Sequence, residues 1–317
     1  MKKTLAALAV LGAFAGSALA ADVTLYGLVD YGFSYQHSDG DAQADAEDSF
    51  TMKSGMNSGS RFGLKGTEDL GNGLKVGFVL ENGFDADDGT FDSNGDDRIF
   101  GREASLHLTG AFGEIAFGRM GALTSPFGHW GIFGLEATPF GFGWGRSGGV
   151  HWMVGGDRLD NTISYASPKF GPGVQLYAQY SFQTGTNPVP GVENAKERYN
   201  TRRASIAFRI KNESLTTVGT LDRIMNTHNS PADYGEDTTI GSLTVNFPVV
   251  KDVRLFVMGQ YFRNVYNAPG TPVHSPVKLI GTANLGADNQ TGISGRGFDG
   301  YVASINAQIK VAGGDLY

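Results

Sequence analysis

Basic side chains recur at alternate positions of several short segments, where they share one face with other polar residues. Arg61 and Lys65 have one parity in a segment whose other parity carries Phe62 and Leu64. A wall of such charges can line an aqueous passage and govern which ions cross it. The same rule predicts more cations on this polar face: Lys75, Arg158, Arg203, Arg209 and Arg254. It also predicts four carboxylates there, those of Asp30, Glu81, Glu114 and Asp160.

Arg102 does not fit the parity rule. It shares its register with Leu106 and Leu108, which the alternation assigns to the apolar face. A β-bulge or a local twist would reconcile the two. The alternation by itself leaves the orientation of Arg102 open.

Catalytic, metal-binding and cofactor-binding patterns are weak. The pair Ser105 and His107 could share a strand face, but the sequence shows no third residue to orient the histidine. The acidic stretch 85–97 suggests calcium, yet Gly89 stands where an EF-hand loop needs an oxygen ligand, so a solvated external loop is the simpler interpretation. Cysteine is absent, and the six histidines have no short metal-ligand spacing. The sequence therefore predicts no catalytic residue, no metal site and no cofactor.

Period-two alternation predicts the elements that must position these charges. In 174–182 one face is Val, Leu, Ala, Tyr and Phe, and the other is Gln, Tyr, Gln and Ser, in an order typical of a two-faced strand. Twelve such strands are predicted, near 22–37, 50–66, 74–85, 98–110, 114–121, 158–167, 174–183, 199–210, 214–225, 237–247, 253–265 and 297–310. Aromatic residues near several strand ends fit the interfacial girdles of a membrane barrel.

The links between these strands alternate strictly between short and long. That order puts every tight turn at one end of an up-and-down meander, as in outer-membrane barrels with short periplasmic turns. The third long link, 122–157, is rich in glycine and aromatic residues, and its carboxylates are Glu136 and the flanking Asp157. A link of that length needs a role, and folding inward to narrow the pore is the one we favour. The fold class predicted is all-β, a transmembrane antiparallel β-barrel.

The first twenty residues, 1–20, are predicted to be a signal peptide. Lys2 and Lys3 precede the apolar stretch 5–14, and Ala18-Leu19-Ala20 has the small-x-small cleavage pattern. Without them the chain has 297 residues, with 23 basic against 32 acidic side chains and a formal charge of −9. That balance argues against a nucleic-acid partner. No run of 18 apolar residues exists, so any membrane crossing must use strands.

Several stretches resemble the trimeric general-diffusion porins of Gram-negative bacteria, of the β-proteobacterial type. The most diagnostic is 60–71, Ser-Arg-Phe-Gly-Leu-Lys-Gly-Thr-Glu-Asp-Leu-Gly. Others are 23–30, 101–104, 117–119 and 158–168. The resemblance implies a basic side of the pore constriction at Arg61, Arg102 and Arg158, and an acidic side from the third long link. Two departures are Leu28, where the family often has a luminal lysine, and Ser125-Pro126-Phe127-Gly128, which lacks the glutamate of the Pro-Glu-Phe-Gly that the family often has.

The combined prediction is an outer-membrane porin that forms a passive aqueous channel for small hydrophilic solutes and ions. Its partners would be outer-membrane lipid and two further copies in a homotrimer, and it is not an enzyme. The constriction is predicted at Arg61, Lys65, Arg102, Glu136 and Arg158, and the lumen wall at Arg203, Arg209 and Arg254. With Glu136 facing the arginines, we expect weak anion preference or near neutrality. The alternatives are a substrate-specific channel for sugars or anions, with the aromatic link as a stacking track, and an outer-membrane hydrolase.

The porin domain, 21–317, is also predicted to be incomplete at its carboxyl end. Twelve strands are readable, and 315–317 look like the start of a thirteenth. Barrels of this class have an even number of strands, and those with an aqueous channel have roughly 16–18. We therefore expect further strands beyond the sequence given.

Overall fold

The chain forms an all-β structure in which almost every element is an antiparallel strand. The computed structural model describes residues 22–38, 47–91, 98–139, 158–184, 201–225, 237–265, 298–312 and 314–316. The strands are β1 (Asp22–Leu28), β2 (Tyr31–Ser38), β3 (Glu47–Ser54), β4 (Arg61–Gly71), β5 (Leu74–Gly83), β6 (Glu103–Gly110), β7 (Gly113–Gly121), β8 (Arg158–Ala166), β9 (Val174–Ser181), β10 (Arg202–Lys211), β11 (Thr216–Met225), β12 (Thr238–Val250), β13 (Val253–Val265), β14 (Phe298–Val311) and β15 (Gly314–Leu316). One helical turn, α1 (Gly134–Ala137), follows β7. No helix in these described ranges is both long and apolar enough to span a membrane.

All twelve predicted strands are present, and the first two are each broken once. Val29 and Asp30 separate β1 from β2, and residues 55–60 separate β3 from β4. The Asp30 carboxylate accepts the backbone amides of Met56, Asn57 and Ser58 at 3.1, 3.0 and 2.8 Å. Those bonds hold the chain in a bend that regular alternation cannot anticipate. Asp30, predicted as a luminal charge, therefore fixes a turn.

The strands are joined as an up-and-down meander, which confirms the topology predicted from the links. In the main sheet β1 pairs with β4, and every later strand pairs with the next along the chain, as far as β15. Strands β2 and β3 form a separate two-stranded sheet. The short strand β15 pairs with the end of β14, so a thirteenth strand does begin where one was predicted. Among the described pairs, β1 and β15 are the two ends of the sheet.

The two faces of this sheet are reversed relative to a water-soluble protein. Large apolar side chains on the outer face are exposed, including Leu25 at 71% and Tyr301 at 83%. Polar side chains on the inner face, such as Ser164 and Thr244, are completely buried. Leaving a large apolar side chain of the outer face in water, rather than burying it, would cost about 1.5–3 kcal/mol. The outer face is therefore a lipid-facing surface.

The tightly packed core lies between the inner face of the sheet and the third long link. Residues 122–139 of this link lie against the wall, and Leu123, Trp130 and Phe133 are completely buried. They pack with wall residues that include Tyr177 and Val218. Residues 140–157, with most of the link's glycines and two of its tryptophans, lie outside the described residues.

Candidate functional site

A cluster of charges lies on the inner face where β4, β5 and the start of β6 meet. Glu81 on β5 accepts a hydrogen bond from Arg102 Nε at 2.6 Å and lies 3.9 Å from Arg61 Nε. The Tyr26 hydroxyl donates to the same carboxylate at 3.0 Å. The strand register brings the Tyr26 hydroxyl and the Glu81 carboxylate together. Tyr26 is opposite Gly63, and Gly63 is opposite Glu81, so Tyr26 and Glu81 lie in the same row across three strands.

Arg102 lies on the inner side, against the parity rule and in agreement with the family resemblance. Strand β6 begins only at Glu103, so the alternation does not extend to Arg102. Its amide donates to the Glu81 carbonyl at 3.1 Å. Its side chain passes over Gly83, where an added Cβ would lie 3.0 Å from Arg102 Cδ. A glycine at this point gives the guanidinium room to reach Glu81.

Arg158 and Lys65, two further residues predicted at the constriction, each lie over an aromatic ring. The Arg158 guanidinium lies 4.0 Å from the centroid of the Phe127 ring. Lys65 Nζ lies 5.4 Å from the Tyr26 ring, and no carboxylate of the described residues pairs with it. Contacts of this kind favour the cation without cancelling its charge. Lys65 therefore keeps a positive charge beside Tyr26, which itself bonds Glu81.

Asp160 is held by two arginines that the alternation did not identify. Its Oδ1 accepts from Arg98 Nη1 at 2.8 Å and from Arg119 Nη1 at 2.5 Å. Arg119 reaches the inner side because the register of β7 shifts between Gly118 and Met120. Gly118 lies at this bulge with a φ of +123°. A glycine inside a strand is the sequence feature that could have indicated the bulge.

Glu136, which was predicted to face the arginines of the constriction, makes its ion pair with Lys211 on β10. Its carboxylate accepts from Lys211 Nζ at 2.7 Å. The carbonyl of the same residue accepts from Asn246 Nδ2 at 2.9 Å, so α1 is attached to β12. Arg254 in turn donates to Asn246 Oδ1 at 2.9 Å. These contacts place α1 against the wall formed by β10, β12 and β13.

Arg203 and Arg209 lie on the predicted inner face but differ in exposure. Arg203 is completely buried and pairs with Asp222, which is buried as well, at 2.7 Å. It also donates to Thr124 of the third long link at 2.5 Å. Arg203 therefore fastens the link to the wall instead of lining water. Arg209 donates to Gln175 at 3.0 Å and lies 5.5 Å from the Tyr177 ring.

Ser105 and His107 acquire a third partner that the sequence did not reveal. The Ser105 hydroxyl lies 2.8 Å from His107 Nε2, and His107 Nδ1 lies 2.7 Å from Glu114. However, the hydroxyl also donates to Glu103 at 2.8 Å, and Ser105 is only 5% exposed in mid-strand. The backbone amides around it serve the β6 ladders, which leaves no oxyanion hole of the kind acyl transfer needs.

The same group of side chains connects the link to the wall. Glu114 also bonds His129 of the link at 3.0 Å. We therefore interpret these residues as a structural network rather than as a hydrolase triad. In the described ranges no set of histidine and carboxylate side chains could hold a metal ion.

A meander of two-faced strands with an apolar exterior, a charged inner face and a link folded inside defines the class of outer-membrane β-barrel porins. The chain belongs to the Gram-negative porin family, whose model matches residues 6–314. It is thus a channel protein of the outer membrane and not an enzyme. The family resemblance drawn from 60–71 and the other motifs is confirmed.

Two relatives illustrate the match. An outer membrane porin protein of Bordetella pertussis is 36% identical over 270 residues, which cover 79% of this chain and 68% of the relative. Outer membrane porin protein 32 of Delftia acidovorans is 39% identical over 179 residues, covering 54% and 47%. The match thus spans about two thirds of one relative and less than half of the other. Among solved structures, an anion-selective porin from Comamonas acidovorans aligns at 25% identity and a TM-score of 0.44, covering 76% of this chain and 79% of that one.

Proposed function

We propose that the assembled protein is a homotrimeric, passive channel for small hydrophilic solutes and ions, with a weak preference for anions. The observation that carries this proposal is the Glu81 cluster beside an inward-folded link. Two arginines share one carboxylate there, so the local charge is positive although the whole chain is acidic. Permeation follows the field at the narrowest point more than the total charge.

We assign the basic side of the constriction to Arg61, Arg102, Arg158 and Lys65. Glu81, which pairs with Arg102 at 2.6 Å, is the opposing carboxylate in this assignment. We keep Glu136 in the constriction as part of the link. Its ion pair with Lys211 at 2.7 Å largely offsets its negative charge, so it contributes little to the electric field on a passing ion. Arg209 and Arg254, bonded to amide oxygens rather than carboxylates, extend the positive wall. Arg203 has a supporting role beneath the link.

Substitutions at opposite ends of one ion pair should shift selectivity in opposite directions. A unit charge about 7 Å from the ion path in water is worth about 0.6 kcal/mol, or about threefold in local ion concentration. Arg61→Ser should lower the chloride-to-potassium permeability ratio by about that factor. Glu81→Gln should raise it. The measurement is the reversal potential of purified protein in a planar bilayer under a salt gradient.

Lys251→Ser is the matched control, because Lys251 is an exposed cation in the tight turn between β12 and β13. It should leave the reversal potential unchanged. A shift of the same sign in Arg61→Ser and Glu81→Gln, or no shift in either, would place the selective region elsewhere.

The substrate-specific alternative gains nothing from the two completely buried aromatic residues of the link, Trp130 and Phe133. Trp130 and Phe133 are completely buried between link and wall, so neither ring can stack on a passing sugar. Trp144 and Trp152, which kept this alternative open, lie outside the described residues.

A further inference from the structure

One histidine of the third long link bonds a carboxylate of the inner wall. His129 Nε2 lies 3.0 Å from Glu114 Oε2 on β7, and the His129 side chain is 60% exposed. The link backbone also approaches the wall closely at the preceding residue. A Cβ added to Gly128, which has a φ of +62°, would lie 2.7 Å from Glu103 Oε2. Glycine at this position therefore lets the link lie directly over Glu103 and brings His129 to Glu114.

On the wall side of this contact, one positive charge lies between two carboxylates. Ser105 donates its single hydroxyl proton to Glu103 at 2.8 Å, so its oxygen accepts from His107 Nε2 at 2.8 Å. The other ring nitrogen, Nδ1, donates to Glu114 at 2.7 Å. A histidine that donates from both nitrogens is an imidazolium. Its single charge balances one carboxylate, and a proton on His129 balances the other.

Other charged groups on the strands around this contact have partners of their own. Lys75 on β5 lies 4.0 Å from Asp69. The Arg209 guanidinium on β10 lies 5.5 Å from the centroid of the Tyr177 ring. Charging His129 therefore acts mainly on the carboxylate that it bonds.

The segment that His129 holds also contacts a residue that we assign to the constriction. Phe127 precedes His129 by two positions, and the Arg158 guanidinium lies 4.0 Å from the centroid of its ring. The Gly131 amide donates to the Phe127 carbonyl at 3.0 Å, so residues 127–131 form one compact turn. A displacement of His129 from the wall therefore also moves the ring that Arg158 contacts.

We propose that Glu114 is a positioning residue of the channel, and that its bond to His129 is a proton-dependent latch on the third long link. This inference rests on the proposed channel function. Histidine is the side chain whose ordinary charge change falls between about pH 5 and pH 8. A neighbouring carboxylate favours the charged imidazole. The latch is therefore strongest in acid, where the imidazole holds its proton, and it weakens as the pH rises and the proton is lost.

The test records single channels of the purified full-length protein in a planar bilayer at about pH 5.5 and about pH 8. A loosened link should give a larger and noisier current. The fraction of time that the wild-type channel spends in this noisy state should be up to about fivefold higher at the higher pH, as expected for loss of one exposed ion pair.

Variants of the two latch residues separate the proton from the packing. His129→Gln should be noisy at both pH values, because glutamine takes up no proton. His129→Lys, which stays charged at both, should be quiet at both. Glu114→Gln should behave like His129→Gln. If Glu114→Gln does not fold, the two variants of the exposed His129 decide alone.

His37→Gln is the matched control, because His37 is an exposed histidine that bonds Asp48 at 2.7 Å in the separate sheet of β2 and β3. It should keep the wild-type response to pH. Equal noise at both pH values in the wild type, or a wild-type response in His129→Gln, would overturn the latch while leaving the channel standing. Folded protein that conducts no current at either pH would overturn the channel function and the latch together.

Discussion

Replacing Arg203 by methionine is expected to lower the free energy of unfolding by about 3–5 kcal/mol, because it leaves a buried charge without its partner. Asp222 is completely buried, and its Oδ1 receives two bonds from Arg203, at 3.0 and 2.7 Å. Its Oδ2 already lacks a hydrogen-bond partner. Arg203 is the ion-pair partner of Asp222 at this site, with Nη2 at 2.7 Å from Asp222 Oδ1 and both side chains completely buried. Chemical unfolding in detergent, followed by tryptophan fluorescence, measures the change.

The double variant Arg203→Met with Asp222→Leu is the control for this prediction. Removing both members of a buried ion pair is often neutral, whereas removing one is costly. The double variant should therefore recover most of the stability lost in the single one. A loss of less than about 1 kcal/mol in Arg203→Met would mean that Asp222 is reached by solvent.

Trp130→Ala is expected to cost about 3–5 kcal/mol and to loosen the third long link from the wall. The indole is completely buried, and its ring meets Tyr177 edge-on at 6.5 Å. His129 beside it holds the link to Glu114 at 3.0 Å, so the two residues fasten the same segment. With the ring removed, this segment should move. Single-channel recordings should then show larger and noisier conductance along with the lower stability.

Leu135→Ala is the matched control, since Leu135 is an apolar residue of the same link with 52% exposure. It should change stability by less than about 0.5 kcal/mol and leave the current trace quiet. Quiet current of normal size in a folded Trp130→Ala channel would show that this part of the link does not border the ion path.

Periodicity predicted the strands well because lipid on one side and polar groups on the other impose a strict period of two. Its failures occur where the backbone leaves that regularity. Arg102 precedes its strand, and Arg119 follows a bulge at Gly118, so both point inward against the parity rule. The alternation showed that Arg102 was irregular but could not settle its orientation, and it did not identify Arg119 as an inward residue.

The contacts of the link were beyond prediction for a different reason. Glu136 pairs with Lys211, 75 positions away, and Thr124 meets Arg203, 79 positions away. Such pairs depend on where the link crosses the lumen, which no local pattern encodes. Parity assigned Arg203 to the inner face correctly, but burial beneath the link could be learned only from the structure.

Conductance of the purified full-length protein in a planar bilayer tests the central claim most directly. We expect large, ohmic conductance steps grouped in threes, with a reversal potential that indicates weak anion preference. The steps report the open aqueous path, their grouping tests the proposed homotrimer, and the potential reports the field of the Glu81 cluster. Folded protein that conducts no current would contradict the channel, and clear cation preference would contradict the assigned constriction.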